Sequence, residues 1–140
     1  MNIAIIEDFK EDADILYRFL SEYAIDNKLL TRCTVFENGN DFLEQFSARS
    51  YDLIFIDIYL NGEDGLEIAK EIRQKDEKCL LVFTTSSSAH AIKSYTVRAF
   101  DYLLKPIDPK RLKYTLDLCN KALFNRSRYI EVKEGRIFTK

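Results

Sequence analysis

The 140-residue sequence predicts an α/β domain with a doubly wound, five-stranded parallel sheet. Five short apolar runs, rich in β-branched and aromatic residues, alternate with segments whose apolar residues recur every three or four positions. The links are short, as in parallel sheets that carry helices on both faces. Three of the runs end on charged residues, at Glu7-Asp8, Asp57 and Lys105, which is typical of buried strands that reach the rim of a sheet.

The first half of the chain is predicted to contain three strands and two helices. Apolar residues one turn apart, such as Leu16 and Leu20, predict the first helix. Phe42 and Phe46 support a short second helix after a turn at Asn38-Gly39. In order, these elements are a strand at about 2–7, a helix at about 10–23, a strand at about 30–36, a helix at about 41–46 and a strand at about 51–57.

The second half continues the alternation. Asn61-Gly62 breaks the chain after the third strand, and Ile68 and Ile72 lie on one face of the helix that follows. Serines 86–88 separate the fourth strand from a fourth helix. In order, these elements are a helix ending near 75, a strand at about 79–84, a helix at about 89–96, a strand ending at 104 and a helix at about 108–124.

Right-handed crossovers leave few topologies for this pattern, and the flavodoxin-like (CheY-like) strand order 2-1-3-4-5 is the commonest for a chain of this length. That order makes strands 1 and 3 neighbours, so Glu7, Asp8 and Asp57 are expected to meet at the carboxyl edge of the sheet. Crowded carboxylates repel one another, and a hard divalent cation with oxygen ligands relieves the repulsion. The sequence therefore predicts a Mg²⁺ site beside an aspartate.

Composition restricts the class of protein. With 46% hydrophobic and 31% charged residues, the chain is long enough for one domain with a short appendage. No apolar run approaches the ~20 residues of a membrane span, and the N-terminus lacks the features of a secretory signal. Cys33, Cys79 and Cys119 are odd in number and widely spaced, which favours free thiols in a reducing, cytoplasmic compartment over disulfides or a zinc site.

Charge is divided unevenly along the chain. Residues 1–120 hold 15 basic and 21 acidic residues, a formal charge of −6, whereas residues 121–140 hold six basic and two acidic residues, a formal charge of +4. The change suggests a boundary near Asn125. The acidic part argues against nucleic-acid binding by residues 1–120, and the basic tail permits it.

Residues 1–124 resemble the receiver domain of bacterial two-component response regulators. The resemblance rests on Glu7-Asp8, Asp57, Thr85-Ser86 and Lys105-Pro106, each directly after a predicted strand and in the family's order. Two segments resemble the subgroup of receivers that carries a LytTR-type DNA-binding domain: Asp57-Ile-Tyr-Leu-Asn-Gly and Asp101-Tyr-Leu-Leu-Lys-Pro. Residues 125–140 then resemble a linker and the opening strands of that domain, in truncated form, with DNA as the partner of the full-length effector.

The resemblance implies a role for each matching residue. Asp57 would accept a phosphoryl group from a phosphohistidine of a sensor histidine kinase, and Lys105 would pair first with Asp57 and then with the phosphoryl group. Mg²⁺ would be held by Asp8 and Asp57, by the Tyr59 carbonyl and, through a water, by Glu7.

The resemblance also implies a switch. The Thr85 hydroxyl and the Ser86 backbone N–H would bind the phosphoryl group, and Tyr102 would turn inward as Thr85 moves. The surface formed by helix 4, strand 5 and helix 5 would change as a result, and it is a candidate homodimer face. The Lys105-Pro106 peptide is cis in the family, and His90 is expected on the surface of the fourth helix.

Several residues also have ordinary structural interpretations. Asp8 could cap the first helix, Thr84 competes with Thr85 as the switch hydroxyl, and a tyrosine at a strand rim such as Tyr102 is common without a switching role. The alternative function is a phosphorylation-independent interaction module with the same fold. A Mg²⁺-dependent aspartyl-phosphate hydrolase is disfavoured, because the position two residues after Asp8 is Lys10 rather than an aspartate. With four glycines and no G-x-G-x-x-G, a phosphate-loop or dinucleotide enzyme is disfavoured too.

Overall fold

Five strands build one parallel sheet in the computed structural model, which describes residues 1–133, with side chains described as far as Arg126. The strand order is β2-β1-β3-β4-β5, and every neighbouring pair is parallel. The predicted fold class and strand order are therefore confirmed. The strands are β1 (Asn2–Ile6), β2 (Arg32–Phe36), β3 (Leu53–Asp57), β4 (Leu80–Thr85) and β5 (Asp101–Leu104), and the α-helices are α1 (Lys10–Asp26), α2 (Gly39–Gln45), α3 (Gly65–Lys75) and α4 (Pro109–Lys133).

Each face of the sheet carries its own apolar core, because successive side chains of a strand point to opposite faces. In β3, Ile54 and Ile56 pack on the face covered by α2 and α3, whereas Leu53 and Phe55 pack on the face covered by α1 and α4. All five residues of β3 are buried. The central strand is therefore a continuous apolar run that ends at Asp57, at the carboxyl edge of the sheet.

The predicted fourth helix is wrong in type and length. Residues 89–92 form turns, and only Lys93–Val97 forms a helix, of the 3-10 type. The hydroxyls of Ser94 and Thr96 donate to carbonyls three residues earlier, at Ala91 and Lys93, which favours this tighter winding. Arg98 then ends the segment in the left-handed conformation, with φ 52°.

The last helix is longer than predicted. It runs to Lys133, so residues 129–133, predicted to begin a strand, are helical in the structure. No glycine or proline interrupts residues 110–133, so nothing in the local sequence ends the helix near 124. Residues 134–140 lie outside the described part of the chain, and the domain assignment of 125–140 stays a prediction.

Two smaller differences concern Asn-Gly pairs. Asn38 is not in a free turn; it caps α2, and its side chain accepts a hydrogen bond from the Asp41 N–H at 2.7 Å. The break at Asn61-Gly62 is confirmed, and it closes an unpredicted hairpin of Tyr59–Leu60 with Glu63–Asp64, where Gly62 has φ +74°. Among the described helices, none combines the length and apolar character required to cross a membrane.

Candidate functional site

Three carboxylates meet at the carboxyl edge of the sheet. Glu7 and Asp8 follow β1, Asp57 ends β3, and each offers an oxygen atom within 4.8 Å of the others. The pairing of Ile6 with Ile56 across β1 and β3 brings the two strand ends together. Glu7 and Asp57 are buried, whereas Asp8 is exposed. The sheet topology thus assembles the acidic cluster that the sequence predicted.

Backbone N–H groups orient these carboxylates. Tyr59 N donates to Asp57 Oδ1 at 3.0 Å, and Asn61 N donates to Asp8 Oδ2 at 2.9 Å. Helix α1 has Phe9 at its N-cap with no side-chain cap, so the interpretation of Asp8 as its capping residue is not supported. Asp8 instead binds the hairpin that follows Asp57, which links the ends of β1 and β3.

Gly65 allows the start of α3 to lie directly against the backbone of Asp57. Its N–H donates to Ile58 O at 2.9 Å, and a Cβ at position 65 would lie 2.2 Å from Asp57 O and 2.8 Å from Ile58 Cα. No real Cβ approaches a backbone atom that closely. A glycine is therefore needed here because of the close approach, which in turn fixes the loop that carries Asp57.

Lys105, directly after β5, is surrounded by carboxylates. Its Nζ lies 2.8 Å from Asp57 Oδ2 and 2.8 Å from Asp12 Oδ2, and it also donates to Glu7 Oε1. Burial alone would lower the pKa of Lys105, but the hydrogen bonds to Asp12, Asp57 and Glu7 outweigh burial and raise it. The ammonium is thus held in its charged form, and its pairing with Asp57 agrees with the expectation. The Lys105-Pro106 peptide is cis, also as expected.

Glu7 is the carboxylate most affected by its surroundings. Burial raises its pKa to about 7; the hydrogen bond from Lys105 opposes the rise, and the charge of Asp57 adds to it. An added cation at the cluster would favour the ionised form. The raised pKa therefore reflects mainly the burial of Glu7, with the neighbouring charge of Asp57 adding to it.

Asp12 is the site residue that sequence reasoning missed. It lies in the first turn of α1, four residues before the buried Leu16, so it shares the helix face that packs on the sheet. The sequence could have indicated this residue, because Asp12 is a carboxylate on the apolar face of the helix, at the end nearest the carboxyl edge of the sheet.

Thr85 and Tyr102 lie on the same face of the sheet. Thr85 is fully buried, Tyr102 packs against the core of that face, and Thr84 points to the opposite face because side chains alternate along β4. This placement favours Thr85 over Thr84 as the partner of Tyr102.

The Tyr102 hydroxyl is bound to the loop after β4. It donates to Ser87 O at 2.5 Å, while Ser87 N approaches Thr85 Oγ1 at 3.4 Å. Ser86 is exposed in the same loop. His90 lies in the turn that follows, not on a helix, and its ring contacts the Tyr59 ring edge-on at 5.6 Å between centroids. The switch roles of Thr85, Ser86 and Tyr102 stay predictions.

Comparison with known proteins identifies the family. Residues 3–117 match the response regulator receiver domain. The chain belongs to this family. It is 30% identical over 125 residues to the sensory transduction protein LytT of Oceanobacillus iheyensis, covering 88% of this chain and 49% of that protein. It is 38% identical over 86 residues to LytT of Bacillus subtilis, covering 61% of this chain and 36% of that protein. The predicted receiver family and its LytTR-type subgroup are confirmed, and the chain spans about half or less of these relatives' length.

Solved receiver structures share the fold. The response regulatory domain of MrkE from Klebsiella pneumoniae superposes with a TM-score of 0.75 and 28% identity, covering 87% of this chain and 97% of that one. The response regulator TrrA from Thermotoga maritima, in complex with Mg²⁺ and beryllium fluoride, gives a TM-score of 0.72 and 26% identity, covering 84% of this chain and 97% of that one. Receiver domains are signalling domains rather than conventional enzymes, and this chain has their acidic pocket.

Proposed function

We propose that this chain is a phosphorylation-dependent switch in which Asp57 accepts a phosphoryl group from a sensor histidine kinase. One observation carries the proposal: Asp57 is held by a backbone N–H at one oxygen and by Lys105 at the other, beside two further carboxylates. A buried aspartate of this kind is a positioned nucleophile, and phosphoryl transfer depends mainly on positioning and charge neutralisation.

The acidic cluster suits Mg²⁺. Its donors are carboxylate oxygens, which this ion prefers, and the exposure of Asp8 leaves room for the waters that Mg²⁺ retains. We assign Asp8, Asp57 and the Tyr59 carbonyl as ligands, with Glu7 acting through a water. The bound ion would neutralise charge on the transferring phosphoryl group. The similar receiver TrrA is named as a complex with Mg²⁺ and beryllium fluoride, which supports Mg²⁺ as the ion.

The transfer step conserves atoms and charge as follows. An Asp57 carboxylate oxygen forms the new O–P bond while the P–N bond of the kinase phosphohistidine breaks. The imidazole nitrogen keeps the bonding electron pair and takes a proton from solvent. The acyl phosphate carries about two negative charges where the Asp57 carboxylate carried one, so the site gains about one negative charge, and Lys105 pairs with a phosphoryl oxygen.

The phosphoryl group is proposed to act on a surface through Thr85 and Tyr102. The Thr85 hydroxyl and the Ser86 N–H would bind it, and the Tyr102 hydroxyl would change its contact with the 87–90 loop. The adjoining surface comprises the 3-10 helix with the turn before it, β5 and α4, where five large hydrophobic side chains are exposed: Ile92, Tyr95, Leu104, Tyr114 and Leu118. This apolar area supports a homodimer face.

The effector is proposed from the relatives. LytT and LytR proteins are named as sensory transduction proteins, and NtrC of Escherichia coli, 37% identical over 99 residues, is named as a DNA-binding transcriptional regulator. We propose that residues 125–140 lead into a LytTR-type DNA-binding domain, and that the whole protein regulates transcription in the cytoplasm.

Intact-mass spectrometry after incubation with acetyl phosphate tests the proposal. We expect one phosphoryl adduct that requires both Mg²⁺ and Asp57, and that is absent from Asp57→Asn. Asp52→Asn is the matched control, because Asp52 lies just before the opposite end of β3 and should label normally. No adduct on folded protein would favour the phosphorylation-independent interaction module, and labelling of Asp57→Asn would mean that another carboxylate is the acceptor.

A further inference from the structure

Asp12 contacts Lys105 but has no part in the function proposed above. Its Oδ2 lies 2.8 Å from Lys105 Nζ, and the side chain is 33% exposed against 17% for Lys105. The candidate metal cluster consists of Glu7, Asp8 and Asp57 without Asp12. No side chain caps α1, so Asp12 has no capping role either.

The three contacts of Lys105 use its full donor capacity. An ammonium group has three N–H donors, and Glu7, Asp12 and Asp57 accept one each. A phosphoryl group on Asp57 can take over the N–H that Asp57 Oδ2 accepts, but it can gain a second N–H of Lys105 only if Glu7 or Asp12 gives way.

Glu7 and Asp12 differ in how easily they can do so. Glu7 is only 4% exposed, and its carboxylate would lose a charge partner in a place that water does not reach. The Asp12 carboxylate, one-third exposed on the first turn of α1, can rotate into water at little cost. Asp12 is thus the acceptor most easily exchanged for a phosphoryl oxygen.

We propose that Asp12 is a positioning residue that holds the Lys105 ammonium in the unphosphorylated protein and competes with the phosphoryl group on Asp57 for it. This inference rests on the proposed function of Asp57. Replacing Asp12 by asparagine removes the competing charge and leaves Lys105 paired with Glu7 and Asp57. Since partly exposed ion pairs contribute up to about 1 kcal/mol, we expect a gain in affinity for a phosphoryl mimic of about two- to fivefold.

The test measures beryllium fluoride binding by ¹⁹F NMR at saturating Mg²⁺, together with the rate of labelling by acetyl phosphate. Four proteins are compared with the wild type: Asp12→Asn, Glu11→Gln, Lys105→Met and the Asp12→Asn/Lys105→Met double variant. Glu11 is an exposed acid in the same turn of α1, so Glu11→Gln removes an equal charge near the site. Thermal unfolding verifies that each variant is folded.

The inference requires tighter binding and faster labelling in Asp12→Asn, no change in Glu11→Gln, and loss of the Asp12 effect in the Lys105→Met background. An equal gain in the Lys105→Met background would show that the charge of Asp12 acts on the phosphoryl group directly and not through Lys105. Weaker or unchanged binding in Asp12→Asn would show that Asp12 does not compete for Lys105. Either result overturns the inference. If the wild type neither labels at Asp57 nor binds beryllium fluoride, the proposed function itself fails and the inference falls with it.

Discussion

Substituting Gly65 by alanine should destabilise the fold and disturb the loop that carries Asp57. The new Cβ would lie 2.2 Å from Asp57 O and 2.8 Å from Ile58 Cα, so α3 and the end of β3 must separate by about 1 Å to reach ordinary contact distance. Both neighbours are backbone atoms, which cannot rotate away as a side chain can. Overpacking of this kind costs about 1–3 kcal/mol, while alanine in place of a helical glycine returns up to about 1 kcal/mol. We therefore expect a net loss of about 1–2 kcal/mol.

Thermal unfolding followed by circular dichroism measures this loss. For a domain of this size, about 1–2 kcal/mol corresponds to a fall in Tm of about 3–10 °C. Gly39→Ala is the matched control: its Cβ would meet mainly the side chain of Ile68, with Cδ1 at 2.0 Å, and that side chain can rotate. Gly65→Ala should therefore lose more stability than Gly39→Ala and should also label more slowly with acetyl phosphate. An unchanged Tm for Gly65→Ala, or a larger loss for Gly39→Ala, would refute the close-approach argument.

Three further predictions concern charge and packing. Asp76 accepts hydrogen bonds from three backbone N–H groups, which together with Arg73 outweigh its burial and hold its pKa below 3.8. Asp76→Asn should thus lower the free energy of unfolding by about 1–3 kcal/mol near neutral pH, as measured by urea unfolding. The difference in stability from the wild type should shrink as pH falls below about 3.8, because the wild-type carboxylate then becomes protonated. A difference that stays constant with pH would show that ionisation of Asp76 does not contribute to stability. Lys105→Met leaves the buried Glu7 and Asp57 carboxylates without their cation, so it should destabilise the Mg²⁺-free protein by about 2–3 kcal/mol. Added Mg²⁺ should then raise the Tm of this variant more than that of the wild type, and equal rises in Tm would contradict the role of Lys105 as the cation of the cluster. Phe42→Ala removes a fully buried ring and should cost about 3–5 kcal/mol by the same urea assay, whereas a loss below about 1 kcal/mol would argue against the core packing described here.

Sequence reasoning was most accurate where a local pattern and the tertiary environment favour the same structure. β3 is buried on both faces, so its continuous apolar run could only be a central strand, and its end could be placed at Asp57. The fourth helix failed for the opposite reason. Its apolar spacing permits an α-helix, but the hydroxyls of Ser94 and Thr96 donate to nearby backbone carbonyls, which favours the 3-10 turn. The Arg73 guanidinium also donates to the carbonyls of Val97 and Arg98, at the end of that turn.

The sequence by itself determined the α/β alternation, the strand order and the meeting of Glu7, Asp8 and Asp57, because parallel strands present their carboxyl ends at one edge and few right-handed topologies exist. Only the tertiary structure decided that Lys105 is shared among three carboxylates and that Asp12 is one of them. That contact joins residues 93 positions apart, on a helix and a strand that the sheet brings together. The rotation of α1 about its own axis directs Asp12 toward Lys105, and packing of that helix on the sheet sets this rotation.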